Sequence, residues 1–145
     1  MIFESIYLTS TISLRLMLLK NTDLNKIIIK KTITINPNAS LLDAREVLLE
    51  HNLKRLVVID SKKHPVGIIT EKDIAKTIYA LGDKPIKSIM VSGFMSKKLI
   101  TIKKTDSIYD CAKLMKKNHI SSIIVLGNNS ILEGLITKTD LASIF

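Results

Sequence analysis

Two stretches of this chain carry glycine, threonine and aspartate at one spacing: Gly67, Thr70 and Asp73, then Gly134, Thr137 and Asp140. A hydroxyl, a carboxylate three residues on and the unpaired N–H groups of a starting helix together form a small set of hydrogen-bonding groups able to hold a polar ligand. The same Thr-x-x-Asp spacing is that of a capping box, in which the two side chains satisfy the first N–H groups of their own helix. Both uses require a helix that starts at the threonine. Ser40/Asp43 and Ser107/Asp110 share the spacing, and there a cap is the expected role.

The two motifs are copies. Leu24 to Ile74 aligns without a gap on Val91 to Leu141 at an offset of 67 residues, with 12 identities in 51 positions. Each copy opens with a β-branched run, Lys31 to Ile35 and Lys98 to Ile102, which reads as a strand. Apolar residues at Leu41, Ala44, Val47 and Leu48, matched by Ile108, Cys111, Leu114 and Met115, predict an amphipathic helix started by Ser40 or Ser107. Two strands follow, Leu56 to Ile59 and Val66 to Ile69, with counterparts Ile123 to Leu126 and Leu135 to Ile136, joined by turn-rich segments short enough for hairpins. A second helix runs from Glu71 to Leu81, stopped by Gly82 and Pro85. The unit is β-α-β-β-α, and the division is an extension over 1–22, repeat 1 over 23–81, a linker over 82–90 and repeat 2 over 91–145. The extension is expected to pack on the repeats as a helix or strand or to stay disordered; Glu4 and Arg15 make it a poor membrane span.

A chain of 145 residues suits one globule in which two such units share a core. Its 46% hydrophobic and 4% aromatic content points to Ile, Leu and Val in that core. One cysteine excludes an intrachain disulfide framework and a cysteine-based zinc site, in keeping with a cytoplasmic setting. A net charge of +9 favours anionic partners without naming them. His51, His64 and His119 show no metal-ligand spacing, and no Gly-x-Ser-x-Gly or Gly-x-x-x-x-Gly-Lys motif is present, so the expectation is a protein that is not an enzyme and holds no metal or cofactor.

The succession of lead-in strand, Ser-Leu-x-Asp-Ala helix, Leu53 to Asp60 and Gly67 to Ile74, with the second lead-in Phe94 to Thr101, resembles a CBS domain. Two copies resemble a stand-alone CBS domain pair, or Bateman module, over residues 24 to 141. The resemblance implies an α/β (α+β) fold of tandem repeats packed with pseudo-twofold symmetry, whose clefts bind adenosine-containing ligands such as AMP, ADP or ATP. It implies ribose and phosphate contacts from Thr70, Asp73, Thr137 and Asp140, and a base resting on Thr32, Ile33 and Thr34 or on Leu99, Ile100 and Thr101. Val57 and Ile124 lie on the matching strands. A homodimer and an effector on another polypeptide are implied as well.

The copies differ at the strand entry, Lys54-Arg55 against Ser121-Ser122. Arginine offers a planar fork to phosphate oxygens and lysine a point charge, so the first copy is expected to prefer di- or triphosphates and to disfavour the cationic S-adenosylmethionine. Two other readings stay open. A basic surface could bind RNA or DNA without sequence preference, although no aromatic residue is interleaved with a basic run. Alternatively, the pair could be a ligand-free dimerisation scaffold whose Thr-x-x-Asp motifs only cap helices.

Overall fold

The computed structural model describes residues 13–27, 29 and 31–143. Residues 13–21 are helical (α1), and Leu19 packs on a hydrophobic core further along the chain; residues 1–12 of the expected extension lie outside the described residues. The elements of the first copy are β1 (Thr34–Ile35), α2 (Leu41–Glu50), β2 (Arg55–Ile59), β3 (Pro65–Thr70) and α3 (Glu71–Leu81). Those of the second are β4 (Thr101–Lys103), α4 (Ile108–Asn118), β5 (Ser122–Leu126), β6 (Leu132–Thr137) and α5 (Lys138–Ala142). Each copy is thus the β-α-β-β-α unit that its hydrophobic pattern predicts.

Two three-stranded sheets result, ordered β1-β2-β3 and β4-β5-β6. The first and second strands of each sheet are parallel, joined through a helix, and β2 runs antiparallel to β3. The lead-in strands are shorter than expected. Pairing begins at Thr34↔Val57 and at Thr101↔Ile124, so Lys31 to Ile33 and Lys98 to Ile100 precede the ladder. β-branched composition favours an extended backbone whether or not a neighbour pairs with it, which is why the sequence overstates the strand.

The chain forms two compact units, and their membership is not that of the sequence copies. One unit contains residues 31–100 and 128–132; the other contains the N-terminal residues to 30 with 101–127 and 133–145. In the first, Ile35, Leu41, Ala44, Leu48, Leu56, Val58, Ile69 and Ile74 are joined by Val91, from the opening turn of the second copy. In the other, the matching residues Ile102, Ile108, Cys111, Met115, Ile123, Val125, Ile136 and Leu141 are joined by Leu24, from the opening turn of the first. Hydrogen bonds fix both insertions in the same way. Val91 N–H donates to Ala39 O at 2.8 Å and Leu41 N–H to Ile89 O at 2.8 Å; Leu24 N–H donates to Asp106 O at 2.9 Å and Ile108 N–H to Thr22 O at 2.9 Å. Leu24 and Val91 are fully buried.

The helix ends repeat too. Asn52 and His119, at equivalent positions, both adopt positive φ, of 51° and 53°. Beyond them Leu53 N–H donates to Leu48 O and Ile120 N–H to Met115 O, closing the last turn of α2 and α4 with a six-to-one bond. Lys63 and Ser130 form a second equivalent pair with positive φ, 66° and 58°. In the β2–β3 turn, Asp60 accepts the N–H groups of Lys62 and His64 at 2.9 Å each, and the His64 bond holds its carboxyl below the usual value. Cys111 is fully buried, and desolvation pushes its thiol up to about 11.

Gly67 sits where β3 meets the segment ahead of β4: Ile68 N–H donates to Ser96 O at 2.9 Å and Ser96 N–H to Ile68 O at 2.8 Å. A Cβ on Gly67 would stand 2.7 Å from Met95 Cγ and 3.1 Å from Ser96 O. The close neighbours of Gly67 are therefore Met95 and the chain's own backbone.

Two substitutions test this packing in urea denaturation. Leu24→Ala leaves a cavity in a core built mostly from residues beyond 100, and a loss of about 2–5 kcal/mol is expected; a loss below about 1 kcal/mol, the level of an exposed site, would contradict the insertion. Gly67→Ala is expected to cost about 1–3 kcal/mol through overpacking, with partial recovery when Met95→Ala is added, since only the Ser96 carbonyl then remains in the way.

Candidate functional site

Thr70 has an extended backbone (φ −120°, ψ 162°) and is the N-cap of α3. Its Oγ1 accepts the Asp73 N–H at 3.1 Å, and the Thr70 N–H donates to Asp73 Oδ2 at 3.0 Å. The Thr70 hydroxyl donates to that same oxygen at 2.8 Å. Thr137 and Asp140 repeat the box at the start of α5: Asp140 N–H to Thr137 Oγ1 at 3.1 Å and Thr137 N–H to Asp140 Oδ2 at 2.9 Å. Ser40/Asp43 is also a full box. At Ser107 only half of it forms, with Asp110 N–H donating to Ser107 Oγ.

Capping thus engages one carboxylate oxygen of each motif. Among the described residues, Oδ1 of Asp73 and Oδ1 of Asp140 have no hydrogen-bond partner. Both aspartates are half-buried, and the cap fixes the orientation of the second oxygen. A carboxylate held by one oxygen and open at the other is ready to accept hydroxyl donors without reorganising.

Alternation along the strands brings several sequence-predicted residues to one face. Leu56 and Val58 face the helices in the first core, so Arg55 and Val57 point to the other side of the sheet. Register adds Thr34, opposite Val57, and Thr70, opposite Arg55. Thr34, Arg55, Val57 and Thr70 therefore share the face turned away from that core. Arg55 is exposed and Val57 is 1% exposed. Lys54 lies just before β2, exposed, and its carbonyl accepts the Glu71 N–H at 3.2 Å, closing the first turn of α3 from outside.

In the other unit Ile123 and Val125 face the core, which turns Ser122 and the buried Ile124 to the opposite face together with Thr101, the ladder partner of Ile124. Ser121, exposed, repeats the role of Lys54: its carbonyl accepts the Lys138 N–H at 2.9 Å. Ile33 is set apart from the rest, since it packs on the first core beside Ile35. Thr32 is half-buried, with its hydroxyl 3.5 Å from Ile33 O; Leu99 and Ile100 are half-buried ahead of β4. Among the described residues no group of His, Cys, Asp or Glu could hold a metal ion, and no helix is long and apolar enough to cross a membrane.

The cap is testable by itself. Thr70→Ala removes the acceptor of the Asp73 N–H and is expected to cost about 0.5–2 kcal/mol, whereas Thr70→Ser keeps it and is expected to cost less than half of that. Equal losses for the two, read from urea midpoints, would assign the threonine to packing of its methyl group instead.

The comparisons with known proteins agree with this fold. The CBS domain family matches residues 24–80 and 91–145. An uncharacterised protein of Methanocaldococcus jannaschii is 35% identical over 116 residues, 80% of this chain and 37% of that protein; the chain spans about a third of the length of such curated relatives. A CBS domain pair solved with 5′-methylthioadenosine and S-adenosyl-L-methionine is 28% identical, with a TM-score of 0.68 over 86% of this chain and 95% of that one. The CBS domain of a membrane protein from Sphaerobacter thermophilus has the same fold, with a TM-score of 0.74 at 21% identity over 97% of this chain and 98% of that one. With both sequence copies matched and the same fold in the solved pairs, this chain belongs to the CBS domain family.

Proposed function

We propose that this chain is a non-catalytic regulatory module that binds an adenosine-containing ligand through Asp73 and Asp140. The observation that carries the reading is the divided carboxylate. In both motifs one oxygen is held by the cap and Oδ1 has no partner among the described residues, which is the arrangement a pair of ribose hydroxyls needs. The solved pair that holds 5′-methylthioadenosine and S-adenosyl-L-methionine supports the ligand class.

The base rests against Thr32 to Thr34 in one copy and Leu99 to Thr101 in the other, with Val57 and Ile124 as apolar wall. The copies then differ in charge. Arg55, opposite Thr70 in the ladder, and Lys54 favour ADP and ATP at the Asp73 motif, by charge-assisted bonds to phosphate. Ser121 and Ser122 leave the Asp140 motif to ligands of lower charge, AMP among them. The module self-associates and passes ligand occupancy to a protein partner, shifting an equilibrium by its differential affinity for two arrangements.

Calorimetric titration with AMP, ADP, ATP, 5′-methylthioadenosine and S-adenosylmethionine tests this. Asp73→Asn keeps a cap acceptor but removes the charge, and a loss of about tenfold or more in affinity for the phosphorylated ligand is expected, with stability nearly unchanged. Arg55→Ala is expected to weaken ATP and ADP and to leave 5′-methylthioadenosine binding as it was. Absence of binding by all five ligands would leave the motifs as helix caps, and the module as a scaffold.

A further inference from the structure

α1 turns an apolar stripe to solvent. Leu14, Met17 and Leu18, spaced i, i+3 and i+4, adjoin along one side of it and are 54%, 55% and 58% exposed. At 3.6 residues per turn Leu19 points to the opposite side, where it packs on the core that contains Leu24 and Ile108. The helix is thus held from behind. Arg15 and Lys20 stand about 110° from the stripe, one on each flank, and both are exposed. The Lys20 ammonium lies 4.9 Å from the centre of the Tyr109 ring, which steadies that flank. Apolar residues scattered singly over a surface need no explanation, whereas three that adjoin on one stripe do.

The surrounding charge says what covers them. From residue 13 to residue 31 the chain holds Arg15, Lys20, Lys26, Lys30 and Lys31 against one carboxylate, Asp23, and that carboxylate is engaged as a cap, accepting the Asn25 N–H at 3.0 Å. α1 itself contains no acidic residue. Its polar end is turned inward: Asn21 Nδ2 donates to Met17 O at 2.9 Å and Thr22 Oγ1 to Leu18 O at 2.6 Å, so two carbonyls of the last turn are satisfied without water. A second α1 is a poor occupant, because stripe against stripe brings the flanking cations of one helix to those of the other. Aliphatic side chains in the middle with cations on both flanks fit an anionic lipid surface, where the alkyl groups enter the acyl boundary and the cations stay among the headgroup phosphates.

We infer that α1 docks this chain on an anionic lipid surface, lying in the plane of the headgroups with Leu14, Met17 and Leu18 toward the acyl chains. The helix lies on the bilayer and does not enter it, since no helix among the described residues is long and apolar enough to cross. Neither ligand binding nor self-association, as proposed above, is needed for this contact.

The test is co-sedimentation of the full chain with vesicles of phosphatidylcholine alone and of phosphatidylcholine with about a third phosphatidylglycerol. Binding to the mixed vesicles is expected to be at least about tenfold tighter and to weaken at high salt. Leu14→Ser/Met17→Ser/Leu18→Ser and, separately, Arg15→Gln/Lys20→Gln are each expected to weaken it at least about tenfold. Lys72→Gln/Lys76→Gln, which removes two exposed charges from α3, is expected to weaken it less than about threefold. All these side chains are exposed, so urea midpoints close to that of the wild type are expected and show that each variant folds. An unaffected leucine variant, or an equal loss from the α3 pair, would reduce the binding to attraction by net charge and overturn the role of α1. Equal binding to the two vesicle types would overturn the choice of an anionic surface. Absence of binding to both would overturn the inference outright and leave the stripe to a protein partner.

Discussion

The structure depends on a reciprocal insertion. Each hydrophobic core is assembled around two helices and three strands of a sequence copy, yet the residue that completes it, Val91 in one and Leu24 in the other, is supplied by the opening turn of the opposite copy. Both residues have no exposed surface and both are pinned by a backbone bond to the loop before a helix. A unit of some fifty residues buries too small a fraction of its surface to be secure alone. Borrowing an apolar side chain and two backbone bonds from the other copy raises that fraction on both sides. It also makes the linker ahead of the second copy, which looks like a tether in the sequence, a part of the first core.

The same economy holds at the motif. Thr70 and Thr137 cap the helices that follow them, and that role accounts for their hydroxyls and for Oδ2 of the partnering aspartates. Capping and ligand contact are compatible, because a carboxylate has two oxygens and the cap engages one. The cap moreover fixes the side chain, so a ligand that uses the other oxygen meets a group already oriented. The Thr70 hydroxyl donates to Asp73 as well as accepting from its N–H, a third bond within the first motif, while the two bonds that both motifs share have nearly the same lengths, 3.0 Å and 3.1 Å against 2.9 Å and 3.1 Å.

Local periodicity made the elements legible. The apolar stripe of Leu41, Ala44 and Leu48 marks α2, and Thr70 and Gly82 bound the Glu71–Leu81 helix. Alternation made Val57 and Ile124 the odd members of their strands, turned away from Leu56 and Val58 or Ile123 and Val125. What the gapless offset could not reveal is partnership: it shows that Leu24 corresponds to Val91, not that each packs among the other's neighbours. Nor does Gly67 announce its reason in the sequence, for the Met95 and Ser96 atoms that exclude a Cβ are brought there only by the bridge between Ile68 and Ser96. The positive φ of Lys63 and Ser130 is equally hidden, since neither residue type favours it.

Duplication explains why the copies could diverge in charge without loss of fold. Positions that hold the cores together stayed apolar in both copies, Leu48 against Met115 and Ile74 against Leu141. Exposed positions on the outer helix faces changed from glutamate to lysine, Glu46, Glu50 and Glu71 against Lys113, Lys117 and Lys138. An exposed charge contributes little to the stability of its own unit, so folding places no sign on it.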